Sequence, residues 1–168
     1  MKVFLIAVMS ANGKISRSES SPVDWNSCED LEWFKSITMK IGNVIMGRRT
    51  FDLIGKPLSD RLNVVMTHKV PSSKMENVIF SDEKPREILK KLENSYSEAA
   101  VIGGKEIFTL FLKEDLIDEM YITYEPILID GMGMLANMEK DVNLKVIDVK
   151  NLHSGSLIVH YKVKKGEK

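Results

Sequence analysis

The stretch NVIMGRRTF, residues 43–51, contains the transition that indicates the fold. Asn43–Met46 is a short run rich in hydrophobic residues, of the length expected for a buried strand. Gly47 ends the run, and after two arginines a segment with helical spacing begins at Thr50. A buried strand that turns through a glycine into a helix is the repeating unit of α/β sheets.

The same alternation of strand and helix recurs on both sides of this stretch. It favours an α/β fold with a central, mostly parallel sheet and helices on both faces. In the C-terminal third, Leu144–Val149 and Leu157–Val163 flank a turn at 151–155 and predict an antiparallel hairpin at one edge of the sheet. The other predicted strands are Val3–Met9, Asn43–Met46, Leu62–Met66, Val78–Phe80, Ala99–Ile102 and Met120–Tyr124, and the predicted helices are Leu31–Met39, Thr50–Ile54, Arg86–Leu92 and Glu106–Leu112.

Length, charge and cysteine content narrow the class of protein. The chain has 168 residues, which suits one domain over residues 1–168. Lys plus Arg and Asp plus Glu are equal at 24 each, so no overall field attracts nucleic acid or an anionic membrane. Cys28 is the single cysteine, which excludes an internal disulfide, and the sequence has no clustered metal ligands. We therefore expect a soluble, cytoplasmic protein without a metal. The apolar run Val3–Met9 is expected to be a buried strand, and a short signal peptide is the alternative interpretation of that run.

Two strand-to-helix turns have the residues expected of an anion site. The first is Gly47 with Arg48 and Arg49, and the second is the Gly103-Gly104 pair in AVIGGKEIF. Glycine allows close approach to the backbone, and the first N–H groups of a helix bind anions. Together the turns could hold the two phosphate ends of a dinucleotide, with residues 67–69 as a further phosphate contact. A tight turn and a solvated helix start remain the alternatives.

Asp30 lies in the stretch WNSCEDLEWFKSIT, residues 25–38, and has two interpretations. Ser27 and Asp30 have the spacing of a capping box, in which the acid serves the helix start. Alternatively, Trp25 and the apolar residues after Asp30 desolvate the acid for chemistry, which raises a carboxyl pKa. The preceding polar loop, Ser16–Ser21, is either a lid or a solvated loop without a role.

Five runs in this sequence resemble dihydrofolate reductase, in the same order and at similar spacing. They lie between Val3 and Pro126 and read DLEWFKSIT, VIMGRRTF, IGKPLSDRLNVV, AVIGGKEIFTLFL and YITYEP. The resemblance implies NADPH as hydride donor and dihydrofolate as acceptor, in support of one-carbon and thymidylate metabolism.

The resemblance also implies roles for particular residues. Asp30 matches the acid that binds the pterin, Trp25 matches the tryptophan of the mobile loop, and Thr123 matches a threonine that supports the acid. Arg61 matches the arginine that grips the carboxylate of the glutamate tail; a surface arginine after a turn is the alternative. The implied substrate contacts are Val8, Leu31, Phe34, Ile54 and Arg61, and the implied NADPH contacts are Ala7, Ile15, Gly47, Arg48, Arg49, Thr50, Thr67, His68, Lys69, Ile102, Gly103, Gly104, Lys105 and Phe108.

Other features depart from the dihydrofolate reductase pattern. Lys105-Glu106 stands where many relatives carry a third glycine and an arginine. MSANGKIS and EPILIDGMG are similar to the reductases of riboflavin synthesis, which share the fold and NADPH but reduce a ribosylaminopyrimidine phosphate. The acceptor therefore stays open between the two, and a non-catalytic NADPH-binding sensor is a third hypothesis. The cluster Met132, Met134 and Met138 is a candidate interface of a homodimer.

Overall fold

The computed structural model describes residues 1–165, and their elements alternate much as the sequence predicts. The first strand, the first helix and the strand that follows them extend one to three residues beyond the predicted bounds, because polar end residues carry no apolar period. In chain order the elements are β1 (Lys2–Ser10), β2 (Lys14–Ser16), α1 (Cys28–Ile41), β3 (Asn43–Gly47), α2 (Arg48–Ile54), β4 (Leu62–Met66), β5 (Val78–Ser81), α3 (Pro85–Leu92), β6 (Glu98–Gly103), α4 (Lys105–Lys113), β7 (Glu119–Glu125), β8 (Met132–Gly133), β9 (Leu144–Asn151) and β10 (Leu157–Val163).

The main sheet has eight strands in the order β5-β4-β3-β6-β1-β7-β10-β9. The pairings from β5 to β7 are all parallel. Strand β10 pairs antiparallel with β7 and with β9. The predicted mostly parallel sheet and its edge hairpin are therefore confirmed.

Apolar residues of the inner strands form the core on both sides of the sheet. Leu5, Ile45 and Val101, on three adjacent strands, have no exposed surface, as expected for strands covered on both faces. One cluster joins these residues to α3 and α4, and the other joins the opposite face to α1 and α2. The prediction of helices on both faces is confirmed. Among residues 1–165 no helix is long and apolar enough to cross a membrane.

A second, two-stranded sheet was not predicted. Strands β2 and β8 pair antiparallel, Lys14 with Gly133 and Ser16 with Met132. Strands of three and two residues are too short to show an alternating pattern, so only their pairing reveals them. This small sheet ties the segment after β1 to the segment after β7. Both segments lead to the candidate site.

Candidate active site

The candidate site lies where parallel strands end. Strands β1, β3, β6 and β7 are neighbours and run in the same direction, so their carboxyl ends share one edge of the sheet. In open α/β sheets ligands bind in the crevice outside these ends. Helix α1, which follows β2 in the chain, packs on the face of the sheet that carries Tyr121 of β7. The rings of Trp33 on α1 and Tyr121 are 5.3 Å apart between centroids.

Asp30 lies in the first turn of α1 and is almost completely buried, with 3% of its surface exposed. Its Oδ2 accepts a hydrogen bond of 2.9 Å from Asn26 Nδ2. Burial raises the pKa of the Asp30 carboxyl, and the negative charge of Glu125 adds to this rise. Hydrogen bonding by Asn26 and by the hydroxyl of Thr123 lowers the same pKa and so opposes the rise. A proton or a ligand that compensates the buried charge is therefore favoured more at Asp30 than at an exposed carboxylate.

The capping box expected at Ser27 and Asp30 is only half formed. Ser27 is the N-cap, and its Oγ accepts a hydrogen bond of 3.2 Å from the Asp30 backbone N–H. The Ser27 backbone N–H donates to Glu125 Oε1 at 2.9 Å and not to the Asp30 side chain. Because a carboxylate from β7 takes the role that a capping box gives to its acid, the Asp30 carboxyl is released from capping.

Two further predicted residues bring unsatisfied polar atoms to this region. Trp25 Nε1 and Thr123 Oγ1 are buried, and neither meets a hydrogen-bond partner of adequate geometry within residues 1–165. Thr123 lies opposite Val8 in the β1–β7 register, and Trp25 is next to Asn26, which bonds Asp30. Buried polar groups are normally paired. Their placement beside Asp30 fits a site completed by a ligand or by water.

Arg61 is buried, so its interpretation as a surface arginine is wrong. Only 6% of the residue is exposed. Its Nε donates to the Ser59 carbonyl at 2.9 Å, and its Nη1 donates to the hydroxyl of Thr38 on α1. Burial lowers the pKa of Arg61 and nearby Asp60 opposes this effect. No carboxylate within the described residues forms a salt bridge with it, and a buried guanidinium of this kind is suited to receive an anion.

Two apolar residues of α1, Leu31 and Phe34, lie between Asp30 and Thr38 along the helix. Leu31 is 51% exposed although it follows buried Asp30 directly. Phe34 packs partly against the core cluster of this face, and its carbonyl accepts the hydrogen bond of the Thr38 hydroxyl at 2.6 Å. Ile54, at the end of α2, is also exposed. Exposed apolar groups beside buried polar ones are typical of a ligand cleft.

The structure brings the two predicted glycine turns together. Helix α2 begins directly after Gly47, and α4 begins directly after Gly104. A Cβ built on Gly104 would lie 3.3 Å from Thr50 Oγ1, and one built on Gly47 would lie 3.1 Å from the side chain of Ile107 in α4. Gly103 has a φ of +128°, which favours glycine. A side chain at Gly47 or Gly104 would therefore press against Ile107 or Thr50, so the tight packing of the two turns favours glycine at both positions.

The two arginines of the first turn are already paired with acids. Arg48 Nε lies 2.8 Å from Asp52 Oδ1, one helical turn away. Arg49 Nη2 lies 3.2 Å from Glu19 Oε2 in the polar loop. Both pairs are largely exposed, and exposed ion pairs contribute little free energy. An incoming phosphate group could therefore replace either acid.

The remaining predicted cofactor residues lie on several different elements around these two turns. Ala7, on β1, and Ile102, on β6, lie near the carboxyl ends of neighbouring central strands. The segment Thr67, His68 and Lys69 follows β4, which neighbours β3, and Lys69 N donates to Thr67 Oγ1 at 3.2 Å. Ile15 belongs to β2, Lys105 begins α4, and Phe108 is 2% exposed with its ring 3.4 Å from a Cβ built on Gly103. The buried ring of Phe108 therefore packs against the second glycine turn.

Sequence reasoning missed three residues of this site: Asn26, Glu125 and Ser156. Asn26 and Glu125 bond Asp30 and Ser27, and Ser156 bonds Glu125. The alternation of strand β7 places Glu125 on the same face as Thr123, and this was the one signal in the sequence that could have found it. Of the predicted methionine cluster, Met134 and Met138 are partly buried against the core, and a homodimer interface at this cluster stays a prediction.

The fold and the buried polar groups together are those of an α/β protein with a candidate ligand site at the carboxyl ends of its parallel strands. A family model described as dihydrofolate reductase matches residues 2–150, and the chain belongs to this family. The resemblance seen in the sequence is therefore confirmed at the level of the family.

Individual relatives agree with this assignment. The chain is 31% identical over 160 residues to a candidate dihydrofolate reductase of Caenorhabditis elegans, covering 88% of this chain and 79% of that protein. It is 35% identical over 124 residues to the dihydrofolate reductase of Buchnera aphidicola, covering 74% and 71%. Among solved structures, a candidate riboflavin biosynthesis protein from Shewanella sp. PV-4 is similar, with a TM-score of 0.82, 25% identity and coverage of 98% and 100%.

Proposed function

We propose that this protein is an NADPH-dependent dihydrofolate reductase, which converts 7,8-dihydrofolate to tetrahydrofolate for one-carbon and thymidylate metabolism. The observation that carries the proposal is that Asp30 and Arg61 are both positioned by helix α1. Asp30 lies in the first turn of α1, and Arg61 is held by Thr38 of the same helix. Eight residues of helix separate the two anchor points by about 12 Å. A substrate with a pterin at one end and a carboxylate tail at the other matches that spacing.

Asp30 binds and orients the pterin in this proposal. A carboxyl can accept two hydrogen bonds side by side, and a pterin presents an N–H and an NH2 in that arrangement. When ionised, the Asp30 carboxylate favours the protonated form of the ring through its negative charge. Asp30 forms no covalent bond to the substrate. Trp25 and Thr123 supply the polar atoms that a bound pterin or an ordered water would satisfy.

Arg61 binds the other end of the substrate. Its Nε and one Nη donor are used within the protein, and a guanidinium has five N–H donors in a fixed fork. The remaining donors can hold a carboxylate bidentately. Leu31 and Phe34, on the helix between the two anchors, provide the apolar contact for the aryl group of the substrate.

The residues around the two glycine turns fit NADPH. Gly47, Gly103 and Gly104 allow the pyrophosphate to approach the backbone, and Arg48, Arg49 and Lys69 supply positive charge for the 2′-phosphate. NADPH, when bound, would supply the hydride for C6 of the pterin, and the proton for N5 would come from solvent through a water molecule. The chain itself contributes orientation, through Ala7 and Ile15 beside the nicotinamide, and exclusion of water by the segment that carries Trp25.

Reduction of a ribosylaminopyrimidine phosphate in riboflavin biosynthesis is the second candidate. The full-length match to the Shewanella protein favours it, because that match includes the C-terminal hairpin. In this case Arg61 would hold the phosphate of the sugar. The two candidates share NADPH and differ in the acceptor.

The test is the loss of NADPH absorbance with dihydrofolate, beside a parallel assay with the pyrimidine. We expect oxidation with dihydrofolate, and a fall in kcat/KM of about 100-fold or more in Asp30→Asn, the range lost with a general acid. NADPH affinity, measured by fluorescence titration, should stay near that of the wild type. Glu32→Gln is the matched control, since Glu32 is an exposed acid on the same helix.

The outcomes separate the candidates. Oxidation with the pyrimidine alone would reject the folate proposal in favour of the second candidate. Full activity of Asp30→Asn with dihydrofolate would reject the role given to Asp30. Tight NADPH binding without oxidation by either acceptor would indicate the sensor hypothesis.

A further inference from the structure

A second buried carboxylate, Glu125, lies at the end of β7 close to the candidate site. Only 4% of the residue is exposed. Its Oε1 accepts hydrogen bonds of 2.9 Å from both the backbone N–H and the hydroxyl of Ser27, and its Oε2 accepts one of 2.6 Å from Ser156 Oγ. These partners are neutral, and burying a carboxylate among neutral groups is costly. The resemblance to dihydrofolate reductase gave this residue no role.

Glu125 is linked to Asp30 through a single residue. Ser27, which donates twice to Glu125, is the N-cap of α1 and accepts from the Asp30 backbone N–H. Thr123 lies two residues before Glu125 on the same face of β7, and its hydroxyl also acts on Asp30. The start of α1 is therefore attached to β7 at the point where Asp30 enters the site.

The turn of the C-terminal hairpin braces the same place. Ser154 donates to Glu29 Oε2 from its backbone N–H at 3.2 Å and from its hydroxyl at 3.4 Å. The hydroxyls of Ser154 and Ser156 are 3.1 Å apart. Two acids, Glu29 and Glu125, thus join the first turn of α1 to the β9–β10 turn.

We propose that Glu125 is a positioning residue for Asp30: it holds the N-terminus of α1 on β7 and keeps a second negative charge beside the Asp30 carboxyl. The catalytic consequence rests on the proposed function, whereas the effect on the ionisation of Asp30 does not. The groups that face Asp30 are Asn26 from the loop before α1, and Thr123 and Glu125 from β7. The hairpin reaches this turn through His153 and Ser154, which contact Glu29.

The charge of Glu125 has a definite sign of effect. A nearby negative charge disfavours ionisation of a carboxyl, so Glu125 helps to raise the pKa of Asp30. Glu125→Gln removes the charge and keeps an oxygen that can accept from Ser27. Glu125→Ala removes both the charge and the attachment. The two variants therefore separate the electrostatic effect from the mechanical one.

The experiment measures the ionisation of Asp30 directly, by NMR titration of ¹³C-labelled side-chain carboxyls in the ligand-free protein, with the Asp30 signal assigned through Asp30→Asn. We expect Glu125→Gln to increase the acid dissociation constant of Asp30 roughly threefold, which is a lower pKa. The matched control is Glu119→Gln. Glu119 lies on the same face of β7, pairs with Lys2 and His160, and is about 20 Å from Glu125 along the strand. It should leave the Asp30 titration unchanged.

Turnover supplies the second measurement. The acidic limb of the pH profile of kcat/KM should move to lower pH in Glu125→Gln, while kcat at its optimum stays within about threefold of the wild type. Glu125→Ala should lose about tenfold or more in kcat, and Gln at this position should restore it. If the Ala variant does not fold, the Gln variant and its control still decide.

Two failures can be told apart. An Asp30 titration that is the same in the wild type, Glu125→Gln and Glu119→Gln overturns the inference about Glu125. Absence of turnover in the wild type with both acceptors overturns the proposed function and leaves the NMR result valid.

Discussion

At the scale of single residues, Arg61 is the side chain on which the proposal of an anionic substrate tail rests. It is buried, bonded to Ser59 and Thr38, and without a salt-bridge partner among the 165 residues described. A buried cation without an anion is unfavourable, because desolvation is not repaid. An anion that arrives with the substrate would compensate the charge of Arg61. The same environment makes the residue a test of the acceptor.

We expect Arg61→Gln to raise KM for dihydrofolate by about 10- to 100-fold, the value of a hydrogen bond to a charged group. The kcat value should change little, because the tail is bound equally in the ground and transition states. Steady-state kinetics with dihydrofolate and with a dihydropterin that lacks the glutamate tail provide the measurement.

Arg86→Gln is the control for this substitution, since Arg86 is an exposed arginine on α3 that pairs with Glu114. The variant Arg61→Gln should affect the tailless dihydropterin no more than the control does. An equal rise in KM for both acceptors would show that Arg61 acts on the site as a whole and does not bind the tail.

At the scale of elements, the small β2–β8 sheet determines where the loop before α1 begins. Gly131, just before β8, has a φ of +141°, and a Cβ built on it would lie 2.0 Å from the Ser16 carbonyl oxygen. Asn12 adds a second tie, because its Nδ2 donates to the Ile129 carbonyl at 2.9 Å. The loop with Trp25 therefore leaves the sheet from a fixed point.

We expect Gly131→Ala to lower the free energy of unfolding by about 1–3 kcal/mol, the range for strained backbone. Turnover should fall by roughly tenfold, because the displaced loop carries Trp25 away from its place beside the site. Urea denaturation and steady-state kinetics measure the two effects.

Gly133→Ala is the matched control for this element. Gly133 lies two residues further along, and a Cβ there meets nothing within 4 Å. It should behave as the wild type does in both assays. If both variants lose the same amount of activity, the close approach of Gly131 to Ser16 is not what positions the loop.

At the scale of the whole molecule, folding buries the Asp30 carboxyl, and the effect of this burial on stability depends on pH. Burial raises the pKa of Asp30 above its ordinary value of 3.8. The folded protein then binds this proton more tightly than the unfolded chain does. Between pH 3.8 and the folded pKa, the contribution of Asp30 to stability therefore decreases as the pH rises.

We expect Asp30→Asn to be more stable than the wild type at neutral pH, because it carries no charge to bury. Its advantage in the free energy of unfolding should increase from about pH 4 upward and level off above the folded pKa of Asp30. Urea denaturation of both proteins at a series of pH values measures this difference, in which contributions from other acids cancel. A difference that is constant with pH would contradict the raised pKa.

The sequence by itself determined the alternation of elements and the glycine turns, and it marked Asp30 as a candidate acid with two interpretations. These features are local, because a helix or strand period, a glycine after an apolar run and an acid at a helix start all lie within a few residues. The parallel sheet followed from that alternation, as did the C-terminal hairpin from its two runs and turn.

Only the tertiary structure decided which groups surround Asp30 and Arg61. Ser27 donates a hydrogen bond to Glu125, which is 98 residues further along the chain, and β2 pairs with β8. Both contacts depend on which strands are neighbours in the folded protein. Arg61 is buried and donates a hydrogen bond to Thr38 of α1, which a turn-like sequence does not indicate. Burial, and with it the direction of a pKa shift, is a property of packed neighbours and therefore appears only when the chain has folded.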